Sequence, residues 1–168
     1  MSDESPPKPH DIAAGEIDAW RGRCLDWFAK GERAIALTLE AAAKNDAALT
    51  IRHLAGHRLA DLAKLAAGDG KATERQAKAL SGALEAWRQI ESRRAFIAHG
   101  VATVLMDRNA KWYVQLDFSN YQAKSTERLR WTSSKDEAEQ FETELEQGFK
   151  GLSAQLGQFR KRLSSARL

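Results

Sequence analysis

The feature that most constrains this chain is a change in hydrophobic period at Gly100. Before it, apolar residues recur at steps of three and four, the spacing that stacks side chains on one face of a helix. After it, Val101, Thr103 and Leu105 alternate with Ala102, Val104 and Met106, the period of a strand. Arg108-Asn109-Ala110 then reads as a turn. Trp112, Val114, Leu116 and Phe118 line one side of a return strand, and Arg128–Trp131 supplies a third short one. From Ser134 the helical period resumes. Ser134 and Glu137 form a capping box, and Ala138, Phe141, Leu145, Phe149, Leu152, Leu156, Phe159 and Leu163 mark a long last helix. The pattern predicts a mainly α fold with a small antiparallel hairpin or sheet, at about 101–132, inserted before the last helix.

Three helices precede the insert. Residues 1–10 hold all three prolines and read as a flexible leader, with Asp11 as the cap of the first helix. That helix runs to about Lys44, with Ile17, Trp20, Cys24, Trp27, Gly31, Ile35 and Leu39 on its apolar face, and Gly22 and Gly31 as points where it bends or admits a close neighbour. Asn45-Asp46 breaks it. Ile51, Leu54, Arg58, Leu62 and Leu65 define a second helix that stops at Gly68-Asp69-Gly70. Thr73 and Gln76 cap a third, whose line Ala77, Leu80, Leu84, Trp87, Ile90 and Ile97 ends at Gly100. A length of 168 residues suits one domain over 11–168.

Charge breaks every apolar run well short of the roughly 18 residues a membrane span needs, so a cytoplasmic protein without membrane contact is expected. Cys24 is the only cysteine, which excludes an intramolecular disulfide and a multi-thiolate zinc site, and its phase predicts a buried thiol. The net charge of +3 hides an asymmetry: residues 1–70 carry 9 Lys/Arg against 11 Asp/Glu, and residues 71–168 carry 17 against 12. Lys150, Arg160, Lys161, Arg162 and Arg167 form a tail without acids, suited to phosphate contact or to a solvated helix end.

The chemistry concentrates where the third helix ends. At about 100° per residue, Arg94 falls within roughly 40° of Leu80, Trp87 and Ile90, so it points with the core and needs a carboxylate, a phosphate or a wet cleft. Glu91, three residues earlier, can supply the carboxylate. His99 follows on the last turn, where a helix C-terminus favours a charged imidazole. Two readings stay open. In one, Glu91 and Arg94 are a structural ion pair and His99 satisfies terminal carbonyls; in the other, the three residues are a site.

The string Glu91-Ser92-Arg93-Arg94-Ala95-Phe96-Ile97-Ala98-His99-Gly100 resembles the Arg-x-x-x-x-His signature of HEPN domains (higher eukaryote and prokaryote nucleotide-binding). The resemblance implies a four-helix HEPN-like bundle with the signature closing the third helix, many such domains carrying an insert before the last. In ribonuclease members it implies metal-independent RNA cleavage, without a cofactor, at a site composed across a homodimer. The catalytic roles fall on Arg94 and His99, with Glu91 in support. Histidine moves protons of RNA hydroxyls near neutral pH, and arginine stabilises charge on the phosphate. Nuclease members often carry Asn, Asp or His after the arginine, where this chain has Ala95. The alternative is therefore a non-catalytic HEPN-like nucleotide-binding or protein-interaction module. A ribonuclease of the toxin or antiphage kind is the candidate function, and an antitoxin or another protein is a further candidate partner.

Arg93 adds positive charge at the helix edge. Arg108, Lys111 and Lys124 interleave with Trp112, Tyr113, Phe118 and Tyr121, a composition that can meet phosphates and stack bases or simply cover a core on the third helix. Arg93, Arg108 and Lys111 are the candidate RNA contacts. His53, His57 and Asp61 recur every fourth residue, but Lys64 shares their stripe, so a solvated face and no metal are expected. Phosphate loops, nucleophile elbows and zinc spacings are absent.

Overall fold

The computed structural model describes residues 6–46 and 48–165. Its elements are α1 (Pro9–Ala43), α2 (Ala55–Ala67), α3 (Glu74–Glu91), α4 (Arg94–His99), β1 (Val101–Met106), β2 (Trp112–Gln122), β3 (Ser125–Ser134) and α5 (Lys135–Ser164). The protein is mainly helical, with one small antiparallel sheet before the last helix. Contacts gather the chain into two compact units. One holds the described residues up to Asp26 with Arg93–Glu144; the other holds Trp27–Ser92 with the described residues from Leu145 on.

Several expected boundaries move, each for a local reason. Helix α1 opens at Pro9 rather than at an Asp11 cap, because proline is preorganised for the first helical position and Lys8 already accepts the Asp11 and Ile12 amides. The leader is thus shorter than ten residues, and residues 1–5 lie outside the described part. Helix α2 begins at Ala55, so Ile51 and Leu54 are exposed before it and its buried residues are Leu59 and Leu62. The third helix is not continuous to Gly100. Ser92 Oγ donates to the Gln89 carbonyl at 2.6 Å, a side-chain bond that competes with the helix ladder, and Ser92–Arg93 forms a turn between α3 and α4.

In the unit built from Trp27–Ser92 and the later part of α5, Ile35, Leu39, Leu62, Leu80, Leu84, Trp87, Leu145, Leu152, Leu156 and Phe159 are buried as expected, whereas Ala77 is exposed and Leu59 is buried in place of Leu65. Phe28, not Trp27, enters the core, and its ring meets Trp87 at 6.1 Å. Gly31 makes that approach possible, since a Cβ there would overlap the Trp87 indole. Both capping boxes form: Thr73 Oγ1 accepts the Gln76 amide at 3.3 Å, and in the other unit Ser134 Oγ accepts that of Glu137 at 3.3 Å.

The second unit carries the sheet, in the order β1-β2-β3. Trp112, Val114 and Leu116 of β2 face inward with Ser133 of β3. Trp131 packs on Trp20, Phe96 and Phe141, with ring centroids 5.2 to 6.2 Å apart. Trp20 Nε1 donates to the Ala138 carbonyl at 2.8 Å, and Trp112 Nε1 to Glu16 at 2.7 Å. The sheet therefore covers α4, the last part of the expected third helix, and the parts of α1 and α5 in its own unit. Strand β3 is longer than Arg128–Trp131, because Gln122-Ala123-Lys124-Ser125 turns the chain without the glycine, proline, asparagine or aspartate that announces a tight turn. Burial pushes the Cys24 thiol up to about 12, so it keeps its proton near neutral pH.

Candidate functional site

Helix α4 is one and a half turns long, and its C-terminal carbonyls need partners. Arg21 of α1 supplies one. Its Nε and Nη2 donate to the Ile97 carbonyl at 3.1 and 2.8 Å, and Nη2 also donates to that of Gly100, just past the helix, at 3.0 Å. The His99 side chain beside it is exposed. Gly100 ends the helix with extended backbone, so its glycine is needed for space rather than for φ: a Cβ would strike the Phe96 carbonyl.

A row of half-buried rings runs beside α4. His99 lies 6.3 Å from Phe118, Phe118 6.0 Å from Phe96, and Phe96 6.2 Å from Trp131, over which the Arg93 guanidinium sits at 4.9 Å. Arg93 and His99 thus stand at the two ends of one aromatic row. Arg94, at the first position of α4, is half-buried. Glu91 is the last residue of α3 and half-buried in the other unit. There it lines a cavity of about 710 Å³ between α2 and α3, together with Glu85, Arg88 and a stripe of alanines. That cavity contains neither Arg94 nor His99.

The other candidate RNA contacts lie elsewhere on the sheet. Arg108 sits in the β1–β2 turn, which Asp107 organises by accepting the Asn109 and Lys111 amides. Lys111 pairs with Asp136 at 3.5 Å. At about 3.4 Å per residue, the length of β1 puts this turn roughly 17 Å from the His99 end of the strand. Arg108 and Lys111 are therefore not brought to His99. What stands nearer that end is Arg130, bound to Asp117 at 2.7 Å, and Arg128, one row further along. The Arg130 guanidinium holds the Asp117 carboxyl below the usual range. Neither arginine, nor Arg21, was marked by sequence; each is recognised only by a strand register or by a partner distant along the chain.

Two further expectations change. His53 precedes α2, so the His53, His57 and Asp61 stripe is not on one helix, and Arg52 grips Asp61 through bonds of 2.7 and 2.6 Å. Among the described residues, no cluster of three or more His, Cys, Asp or Glu can hold a metal ion. Part of the basic tail is held within the protein, while Lys161 stays exposed. Arg160 donates to Thr38 Oγ1 at 2.8 Å, Arg162 meets Asp69 at 2.8 Å with side chains only 16% and 10% exposed, and Lys150 pairs with Glu146. Arg167 lies outside the described residues.

No helix among the described residues is long and apolar enough to cross a membrane. No protein-family model, curated protein or solved structure matches the chain.

Proposed function

We propose that this protein is a metal-independent endoribonuclease of the HEPN type, a homodimer whose composite site pairs Arg94 and His99 of both copies. The observation that carries the reading is the exposed His99 side chain at a helix end where Arg21 holds the Ile97 and Gly100 carbonyls. An exposed imidazole can accept the proton of an RNA 2′-hydroxyl and return one to the leaving oxygen. The hydroxyl oxygen then bonds to the adjacent phosphorus, the bond to the leaving oxygen breaks, and a cyclic phosphate results. Arg94 supports the negative charge that builds on the phosphate. The homodimer belongs to the HEPN reading: a symmetric neighbour supplies a second imidazole, so that one histidine takes a proton while the other gives one.

Ala95 favours the second reading, a non-catalytic nucleotide-binding or protein-interaction module of the same bundle type, because no polar group follows the arginine. An antitoxin or another protein is the partner such a module would take, and an antitoxin equally suits a toxin-like nuclease. The test is cleavage of mixed RNA by the purified chain, with and without chelator, beside His99→Ala. Chelator-insensitive cleavage that His99→Ala abolishes supports the nuclease. Equal cleavage by both proteins, or none by either, sinks it, and in the second case the module takes its place.

A further inference from the structure

The outer face of the sheet has no part in the site described above, yet its composition is specific. Strand alternation puts Leu105 beside Tyr113, Thr103 beside Gln115 and Thr132, and Val101 beside Asp117 and Arg130. Val101 is 71% exposed. The uncharged part of this face covers three strands and two rows, roughly 14 by 14 Å at ordinary sheet spacings. That is well under half of the roughly 800 Å² each partner contributes to a stable protein interface. A small ligand-bearing surface fits its size better than a protein dock.

Beyond Val101, β1 gives way to α4 while β2 and β3 continue as a two-stranded ribbon. The next outer rows are Ser119 with Arg128, then Tyr121 with Thr126. Tyr121 is 80% exposed. Asp117 occupies Arg130 through bonds of 2.7 and 3.4 Å, whereas Arg128 has no hydrogen bond or ion pair among the described residues. A groove of about 420 Å³ is lined by Asp117, Phe118, Ser119, Arg128, Leu129 and Arg130, and Tyr121 lies one row beyond it.

We propose that this outer ribbon surface, from Arg128 to Tyr121, binds a single-stranded segment of RNA. An exposed aromatic ring and an unoccupied guanidinium, with hydroxyls between them, are the means by which proteins hold unpaired bases and their phosphates. Paired RNA is a poor fit, since its deep, narrow major groove keeps base faces from a ribbon. The opposite sign of Arg128 supplies charge complementarity to the phosphates. His99 packs on Phe118, on the opposite face of the sheet, so the ribbon is a holding surface distinct from the candidate site. Its use together with that site rests on the ribonuclease reading; the binding surface does not.

The test is fluorescence anisotropy with the full chain and a labelled, 2′-O-methylated strand of about 12 nucleotides, within the range of known single-strand sites. The same strand annealed to its complement is the comparison. Tyr121→Ala should weaken binding about fivefold or more, the loss of one stacked base. Arg128→Ala should weaken it and reduce the salt slope of log K by about 0.7, one phosphate contact. Arg75→Ala, at an exposed position on α3, should bind as wild type. The proposal is overturned if both ribbon variants bind as wild type, if the duplex binds as tightly, or if no RNA binds. Cleavage of an unmodified strand separates the two readings. Cleavage that needs His99 but a ribbon without binding effect removes the ribbon site alone; ribbon-dependent binding without cleavage removes the nuclease alone.

Discussion

Two basic clusters of nearly equal composition occupy the ends of two helices and are used in opposite ways. At the end of α5, Arg160 and Arg162 are drawn into their own unit, one onto the Thr38 hydroxyl and the other onto Asp69 with little exposure on either side. Around α4, Arg93 lies on the surface over Trp131, His99 is exposed, and the capping work is done by Arg21 from another helix. Which cations of a basic run stay on the surface therefore depends on the groups that each meets in the fold, not on the run itself. Charge alone favours the α5 tail as a phosphate site; the tertiary partners reverse that preference.

The largest effect that would break this contrast is at His99. His99→Ala should lower RNA cleavage by about 10²–10⁴-fold, the usual contribution of a general acid or base, with an unchanged melting temperature. A protein that melts early instead would make His99 structural. Next comes the α5 side. Arg162→Ala leaves a largely buried Asp69 carboxylate without its partner, so unfolding free energy should fall by roughly 3 kcal/mol, measured by urea titration, while any cleavage by the folded protein persists. Lost cleavage at full stability would put the tail into the site.

Gly31→Ala tests the core of that same unit. A Cβ overlapping the Trp87 indole should cost about 1–3 kcal/mol, read as a lower urea midpoint with little change in slope. Neutral behaviour would mean that Trp87 is free to move. The smallest effect belongs to the sheet-bearing unit. Hydrogen bonds from Lys135 and Trp112 hold the Glu16 carboxyl below its ordinary value. Its folded pKa is depressed, so its contribution is complete above the unfolded value near 4.5 and is lost as pH falls through the folded one. Glu16→Gln should flatten the acid decline of the melting temperature below about pH 4.5. An unaltered acid profile would show that Glu16 contributes nothing there.

What was legible in the sequence had a range of three or four residues. The change of period at Gly100, the Thr73 and Ser134 capping boxes and the buried phases of α1, α3 and α5 all follow from neighbours along the chain, and all are present in the structure. Short-range failures were equally physical. Ser92 diverted a helix through its own hydroxyl, and the Gln122–Ser125 turn formed without glycine, proline or asparagine.

The candidate site was readable as residue types, Arg93, Arg94 and His99 on one short segment, because spacing along a helix determines which side chains share a region. Their availability was not. It depends on Arg21 reaching 76 residues along the chain to Ile97, and on Asp69 taking Arg162 from 93 residues away. The sequence by itself determined the elements, their order and the place of the histidine at a helix end, through local sterics and hydrophobic period. Only the tertiary structure decided which cations are consumed within the protein and which face outward, because pairing energy depends on distance in space and on burial, neither of which is encoded in separation along the chain.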